Sequence, residues 1–494
     1  MNAIILAAGI GTRLTPMTLN KPKPLLEIRG KSILEQMIEM LRKGGVNDIC
    51  VVTGYKHSLF DNIAKTLNFE KVVFDDYYKA NSSQSLLCVK DRIKKGTIIL
   101  NGDLYITCDF CRLFKSGVSQ FLAQKILNNT LSWGYIVDEN CKILDIDTNA
   151  TQGYGDGIAF FDNAKDIEIF KNNLKECKED EYWEYAVLRS LDSINYYAFQ
   201  CDNLYTEIDS FADALNSKLI TPEEIAMQCA DDLYAYRLAG ITNTNYLINF
   251  QGKKKVIRIP GIATENVIDR FEEQRITNLL KDLDITPKSE FYGSGIKMSD
   301  FLSDFKSLES NQISIDVLKK IIDKLIKLHN ISIKNENNVE YKPIKLYDEI
   351  LKYEKLANIT LTTQKEHKEI IEIAKSLDKR DFVLCHRDLQ LPNILYNGSD
   401  IKFIDFEYAG FSCIEWEFGN LVSELQLSKI QIDSIIEYYN ANTKRNITFK
   451  DVVWGSLLAN YIWALWCWIY NRIDLGRNYL FRMQDNLITL QKLT

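Results

Sequence analysis

The stretch from Cys385 to Glu407, CHRDLQLPNILYNGSDIKFIDFE, sets an acid, an amide and a second acid at spacings that suit phosphoryl transfer. Asp388 stands in an HRD turn, Asn393 follows five positions later, and an apolar run beyond the NGS turn delivers Asp405 to a strand end. In that setting Asp388 accepts the proton of an attacking hydroxyl. Asn393 and Asp405 offer hard oxygens to a Mg²⁺ ion bridging the phosphates of a nucleotide. An exposed turn before an ordinary strand would have to supply all three groups at these spacings by chance.

A second constellation lies at the other end of the chain. Ala3–Ala7, AIILA, predicts a short buried strand that empties into Ala8-Gly9-Ile10-Gly11-Thr12-Arg13. The two glycines let backbone N–H groups turn toward an anion. Arg13 and, within KPKPLL, Lys23 bring cations, and Pro16 stiffens the loop's exit. Attack of a phosphate monoester on the α-phosphorus of a triphosphate brings like charges together, at about 4 kcal/mol per unit pair ~4 Å apart in an effective dielectric near 20. Arg13 suits bidentate binding of the leaving phosphates, and Lys23 suits a point charge between the two phosphoryl groups. Carboxylates must then hold Mg²⁺, and the candidates are Asp103, closing TIILNGD, and Asp209 in YTEIDSFAD. A lone acid after a strand is more often a cap or turn residue; its pairing with the glycine loop gives it meaning.

These residues need a scaffold. Between them the pattern reads strand, helix Ser32–Lys43, strand Asp48–Val52, helix Ser58–Leu67, strand Val72–Phe74, then Ser85–Val89 and a strand about Ile98. That alternation predicts an α/β domain with a Rossmann-like doubly wound sheet, whose strand carboxyl ends carry Gly9, Gly11 and Asp103. A boundary at Asn216–Thr221, before the TPEE helix start, divides the chain into residues 1–220 and 221–494. LAGITNTNYLINF then predicts a strand-turn-strand in which Gly240, Thr242, Asn243 and Asn245 cover phosphates. Arg258 sits mid-strand in KKVIRIPG, with Glu273 on the next helix as its ion-pair partner. With the HRD stretch this is an α+β, protein-kinase-like bilobal domain.

Composition narrows the class. The 494 residues exceed one core, and 46% hydrophobic with 26% charged residues is the balance of a soluble globular protein. Four histidines argue against a histidine-built metal centre, and a net charge of −7 argues against nucleic acid as a partner. Eleven scattered cysteines behind a start without secretory character read as reduced thiols in the cytoplasm, with Cys108 and Cys111 an isolated CxxC. The apolar stretch WGSLLANYIWALWCWIY is too short and, with Asn460, too polar for stable membrane insertion. A homo-oligomer stays open.

LAAGIGTRLTP with PKPLLEI resembles the signature of nucleotidyltransferases that join a nucleoside triphosphate to a phosphorylated substrate and release pyrophosphate. Trp133 in LSWGYIV and Tyr182-Trp183-Glu184 in EDEYWEYAV match positions where bacterial CTP:phosphocholine cytidylyltransferases carry Trp and Tyr-Trp-acid. Rings with an acid suit a quaternary ammonium, at about 0.5 to 2 kcal/mol per desolvated ring. Asn81-Ser-Ser-Gln-Ser85 lies where base and acceptor should be framed, and there the chain departs from the family pattern.

Residues 225–494 resemble choline and ethanolamine kinases through HRDLQLPNIL, with Gln390 a nucleotide-side contact, FIDFEYAG, and an aromatic helix carrying Trp463, Trp466 and Trp468. Trp463 and Trp466 share a face and, with Trp416 and Glu417 of CIEWEFG, would wall a choline ammonium; Trp468 is off that face. The resemblances imply a bifunctional enzyme that phosphorylates choline with ATP and couples phosphocholine to CTP, giving CDP-choline and pyrophosphate. Asp388 would be general base, Arg258 would orient ATP, and Mg²⁺ would serve both sites. Three alternatives stay open: ethanolamine as substrate, an aminoglycoside-type phosphotransferase, and a non-catalytic first half.

Overall fold

A computed structural model describes residues 1–126, 132–240, 242–261, 266–332 and 341–493. The chain divides into two compact units, Met1–Ile259 with Tyr292–Ile296, and Pro260–Phe291 with Lys297–Thr494.

The first unit is built on a nine-stranded mixed sheet. Its strands are β1 (Asn2–Ala7), β2 (Asp48–Thr53), β3 (Glu70–Val73), β4 (Thr97–Asn101), β5 (Ser119–Lys125), β6 (Ser132–Val137), β7 (Ile143–Ala150), β8 (Tyr154–Phe161) and β9 (Tyr196–Gln200). Their order is β7-β6-β8-β4-β1-β2-β3, with β5 between β8 and β9. β1 is parallel to β2 and β4, and every residue of β1 is buried, which is why AIILA and CVV read as unbroken apolar runs. The doubly wound part is thus β4-β1-β2-β3, extended by antiparallel β8. β1 and β4 are neighbours with Leu6 opposite Asn101, so the glycine loop and Asp103 leave the same sheet edge side by side.

Helices cover the sheet where their caps start them. α1 (Ile33–Lys43) begins at Ser32 in a reciprocal capping box with Glu35 and ends at Gly44. Ser85–Val89, counted above among the alternating elements, forms the end of the short helix α2 (Ser82–Leu87) and the turn after it. α3 (Ala164–Lys175) and α4 (Glu184–Ser190) pack on a core that includes Phe121, Phe161, Phe170, Trp183 and Tyr196. α5 (Phe211–Asn216) follows Asp209, and α6 (Pro222–Cys229) opens at Thr221 with a capping box to Glu224. The expected strand-turn-strand is present, Ala235–Leu238 pairing antiparallel with Asn243–Phe250.

The second unit is helix-rich, with α7 (Arg270–Leu280), α8 (Ile315–His329), α9 (Leu346–Ala357), α10 (Gln364–Leu377), α11 (Ile414–Leu425), α12 (Lys429–Asn442), α13 (Phe449–Ile469) and α14 (Ile473–Leu493). Short antiparallel pairs, Phe382–Cys385 with Gly410–Cys413 and Ile394–Tyr396 with Ile401–Phe403, hold the HRD stretch between them. α13 is long and apolar enough to cross a membrane, yet 83% of its most apolar window is buried inside the unit. It crosses α11 at glycines: a Cβ on Gly455 would lie 1.7 Å from the Glu415 carbonyl oxygen, so a side chain there would force the helices apart. Asn460 is buried but satisfied, since it accepts from Ser423 Oγ at 2.6 Å and donates to Asn486 Oδ1 at 3.0 Å.

Candidate active sites

In the first unit the glycine loop is fixed by what surrounds Gly11. Its φ of 70° is left-handed, and a Cβ would lie 3.1 Å from Lys23 Cβ and 3.2 Å from Thr18 Cγ2. Thr18 Oγ1 donates to the Gly11 carbonyl at 3.0 Å, and Ala8 leads into the loop with its carbonyl accepting from Tyr55 N at 3.0 Å. Around Gly9 the space is open, and Thr12 begins a turn of 3-10 helix with Arg13.

Lys23 is the centre of this site. Its buried ammonium lies 2.8 Å from Asp103 Oδ2 and 2.6 Å from Asp209 Oδ1, and Arg13 Nη2 reaches Asp209 Oδ2 at 2.9 Å. Burial alone would lower the Lys23 pKa, but the charges and hydrogen bonds of Asp103 and Asp209 outweigh it and raise it above the ordinary lysine value. The acids converge because Tyr205–Glu207 pairs with Leu104–Ile106, and Ile208 N donates to the Asp103 carbonyl at 3.2 Å. Gly102 lets the chain hug β1, for a Cβ there would meet the Leu6 carbonyl oxygen at 2.7 Å.

The same pairing brings in Glu207, which was not among the expected ligands although it stands two residues before Asp209. Asp103, Glu207 and Asp209 each place a carboxylate oxygen within 4.8 Å of the others. Asp103 Oδ1 is buried with no hydrogen-bond partner among the described residues. Three carboxylates against two cations, with one oxygen unsatisfied, is a donor set that fits a hard divalent ion.

The expected acceptor residues separate into two roles. Trp133 on β6 lies edge-on to Tyr182 at 6.2 Å and to Tyr185 at 4.9 Å, and Tyr182 is exposed. Trp183 instead points into the core, stacked 6.2 Å from Phe121 and edge-on to Phe170, so it anchors the segment from within. Glu184 is buried at the first turn of α4. Tyr185, with no motif to mark it, joins the aromatic group because it follows Trp183 on the same turn.

In the second unit Asp388, Asn393 and Gln390 form one hydrogen-bonded set. Asn393 Nδ2 donates to Asp388 Oδ2 and to its carbonyl, both at 2.9 Å, and Gln390 Nε2 donates to Asp388 Oδ2 at 3.1 Å. Asn393 thereby keeps its amide oxygen for a cation, whereas Gln390, expected on the nucleotide side, is turned to the acid. Burial, then the charges of Asp405 and Glu424, push the Asp388 carboxyl well above its ordinary range. Asp405 has a left-handed backbone, φ 65°, at the end of the Ile401–Phe403 strand.

Arg258 is buried in the strand Lys253–Pro260 of the first unit and donates to the Gly295 carbonyl at 3.2 Å. Glu273, in the second unit, holds Lys297 at 3.0 Å and Arg270 at 3.0 Å, and Arg270 also reaches Glu407 at 2.9 Å. Lys297 is a buried strand cation whose only sequence signal was its place in GIKMSD. The expected phosphate-covering turn is closed by its own groups. Asn243 Nδ2 donates to Thr242 Oγ1 at 3.2 Å, and Gly240 has no room for a Cβ, which would lie 2.5 Å from the Asn243 carbonyl oxygen.

Of the four groups expected to wall an ammonium, two turn out to support the HRD turn. Glu417 accepts from His386 N and Arg387 N, each at 2.9 Å, so both carboxylate oxygens are spent on backbone. Trp416 donates to the Arg387 carbonyl at 3.2 Å and lies under its guanidinium at 4.5 Å, while Glu349 takes that guanidinium from the other side. Trp416 also lies beside Trp463 as expected, 6.2 Å away and edge-on, so that ring keeps its expected neighbour while it holds the turn.

Trp463 and Trp466 do lie together, 6.4 Å apart, with Tyr408 edge-on to Trp463 at 5.1 Å and Tyr470 against Trp466 at 4.8 Å. Trp463 Nε1 is buried without a partner among the described residues. Glu424, also unforeseen, is half-buried near Asp388 and accepts from Tyr479 at 3.0 Å.

Two families match this chain. Residues 2–129 match the nucleotidyl transferase family, and residues 237–451 the choline/ethanolamine kinase family. Choline-phosphate cytidylyltransferase of Streptococcus pneumoniae is 31% identical over 221 residues, covering 43% of this chain and 95% of the relative. Protein LicA of Haemophilus influenzae is 26% identical over 246 residues, covering 46% of this chain and 89% of the relative. The crystal structure of choline kinase LicA from Streptococcus pneumoniae superposes with a TM-score of 0.45 at 24% identity, covering 52% of this chain and 93% of that one.

Proposed function

Because the chain belongs to the choline-phosphate cytidylyltransferase family of nucleotidyl transferases and carries a choline kinase domain behind it, we propose that its two halves act in series. The carboxy-terminal half phosphorylates choline with ATP, and the amino-terminal half joins the product to CTP, releasing pyrophosphate and CDP-choline. The observation that carries this reading is the fusion itself. A domain that makes a phosphate monoester is joined to one that consumes such an ester, and each holds a charged site suited to its step. We assign residues 1–220 to the first domain and 221–494 to the second.

In the kinase step Asp388 accepts the choline hydroxyl proton while Asn393 orients that carboxylate. Trp463 and Trp466 offer ring faces to the ammonium. Arg258 neutralises nucleotide phosphates. In the transfer step Arg13 and Lys23 offset charge on the phosphates, the open backbone at Gly9 admits them, and Trp133 with Tyr182 faces the acceptor's cationic head. Asp103 and Asp209 with Glu207, and Asn393 with Asp405, would hold Mg²⁺, which when bound screens phosphate charge. No covalent intermediate is required of either site. The eleven free thiols support a reducing, cytoplasmic setting.

The test is an incubation of the purified chain with ATP, CTP, Mg²⁺ and either choline or ethanolamine, following nucleotide products and pyrophosphate. CDP-choline formed only when both nucleotides are present supports the reading. Preference for ethanolamine would replace the substrate and keep the mechanism. Phosphocholine without CDP-choline would remove the second step.

A further inference from the structure

Asn81–Ser85, the stretch that departs from the family pattern, holds another loop rather than a ligand. Five consecutive carbonyls accept hydrogen bonds from it. Gln84 Nε2 donates to Cys177 O at 3.0 Å, Ser83 Oγ to Lys178 O at 3.2 Å, and Asn81 N to Glu179 O at 2.7 Å. Asn81 Nδ2 donates to Asp180 O at 3.3 Å and Ser83 N to Glu181 O at 3.4 Å. The next residues continue the contact, for Trp183 N donates to Ser82 Oγ at 3.1 Å. From the far side Arg189 of α4 grips the Glu181 carboxylate at 2.6 and 2.8 Å.

An irregular segment carrying Lys178, Glu179, Asp180 and Glu181 has little apolar reason to hold one conformation. The Lys178 carbonyl also accepts from Glu181 N at 3.2 Å within the segment, but all five carbonyls take donors from this turn, and three of those five donors are the side chains of Asn81, Ser83 and Gln84. Beyond the clasped segment the chain drives Trp183 into the core and leaves Tyr182 exposed, edge-on to Trp133. We infer that Asn81, Ser82, Ser83 and Gln84 are positioning residues of the transferase, fixing Tyr182 opposite Trp133 and so setting affinity for the acceptor's cationic head. This rests on the acceptor reading above. The clasp's side-chain donors are already engaged with protein carbonyls, so its effect on the acceptor passes through the loop.

The experiment is steady-state kinetics of the full chain with added phosphocholine and CTP, on Asn81→Ala and Gln84→Ala. Asn81→Asp keeps the cap on Ser82 N, removes the donor to Asp180 and sets a negative charge against that carbonyl. Each lost hydrogen bond is expected to raise the phosphocholine KM about 2- to 12-fold, with the CTP KM and the rate of choline phosphorylation unchanged. A parallel rise in the CTP KM, or an unmoved phosphocholine KM, overturns the inference. Trp133→Ala and Tyr182→Ala separate the two levels. If they leave the phosphocholine KM unmoved, the acceptor reading fails. If they raise it and the clasp variants do not, only the clasp fails.

Discussion

Asn393 donates its side-chain amide to the Asp388 carboxylate at 2.9 Å, so the residue that would face a cation also aims the residue that would take the proton. Asp388 and Asn393 are one hydrogen-bonded unit, and loss of either should be felt in the kinase alone. Asp388→Ala is expected to lower choline phosphorylation by about 10²- to 10⁴-fold while CDP-choline formation from added phosphocholine stays at the wild-type rate. Assaying both activities on one preparation checks this. Loss of both in a folded chain would refute independent sites.

Lys23 stands between Asp103 and Asp209 in the first unit. Lys23→Ala leaves two carboxylates facing each other without their shared donor, at a cost of about 1.5 to 3 kcal/mol in stability. Transfer should fall below detection while choline phosphorylation persists. Urea unfolding, followed beside the two assays, separates the lost activity from the lost stability.

Trp463 and Glu417 were expected in one wall, and the structure places the Glu417 carboxylate on the backbone of the HRD turn instead. Trp463→Ala is expected to raise the choline KM by about 2- to 30-fold, the value of one desolvated ring, with a smaller effect on ethanolamine. Glu417→Gln, which disturbs the donors from His386 and Arg387, should instead lower kcat. If Glu417→Gln moved only the choline KM, the supporting role would be wrong.

Acid stability should report His329. Its ring is fully buried against Tyr439, and burial, aided by the charge of Arg445, lowers its pKa to about 3. Unfolded, it titrates near 6.5. Below that pH the unfolded chain takes up a proton that the folded chain refuses, so stability present above about 6.5 is lost as pH falls toward 3. Between pH 6.5 and 5 the loss from this group is about 2 kcal/mol. His329→Gln should remove that component of the slope, measured as the difference in urea-unfolding free energy of the second unit between the two pH values.

The candidate site residues that the chain suggested are those whose proposed chemistry depends on local spacing. Gly9, Gly11, Arg13 and Lys23 fall within one short stretch of sequence, and Asp388 and Asn393 within another, so a short window contains the reason each was singled out. Strand β1 and the helix starts at Ser32 and at TPEE were legible for the same reason. Glu207, Lys297, Glu424 and Tyr185 carried no such signal, because their partners are brought from elsewhere in the chain.

The sequence by itself determined the two chemistries, the order of the domains and the residues that bear charge in each. Hydrophobic period and motif spacing are properties of consecutive residues. Only the tertiary structure decided which aromatic side chains face outward and which are core, since Tyr182 and Trp183 are neighbours with opposite fates. It also decided that Glu417 satisfies the backbone of the HRD turn and that Asn81–Gln84 clasps a loop nearly a hundred residues away. Those outcomes depend on which buried donors and acceptors must find partners, and that is fixed only when distant segments meet.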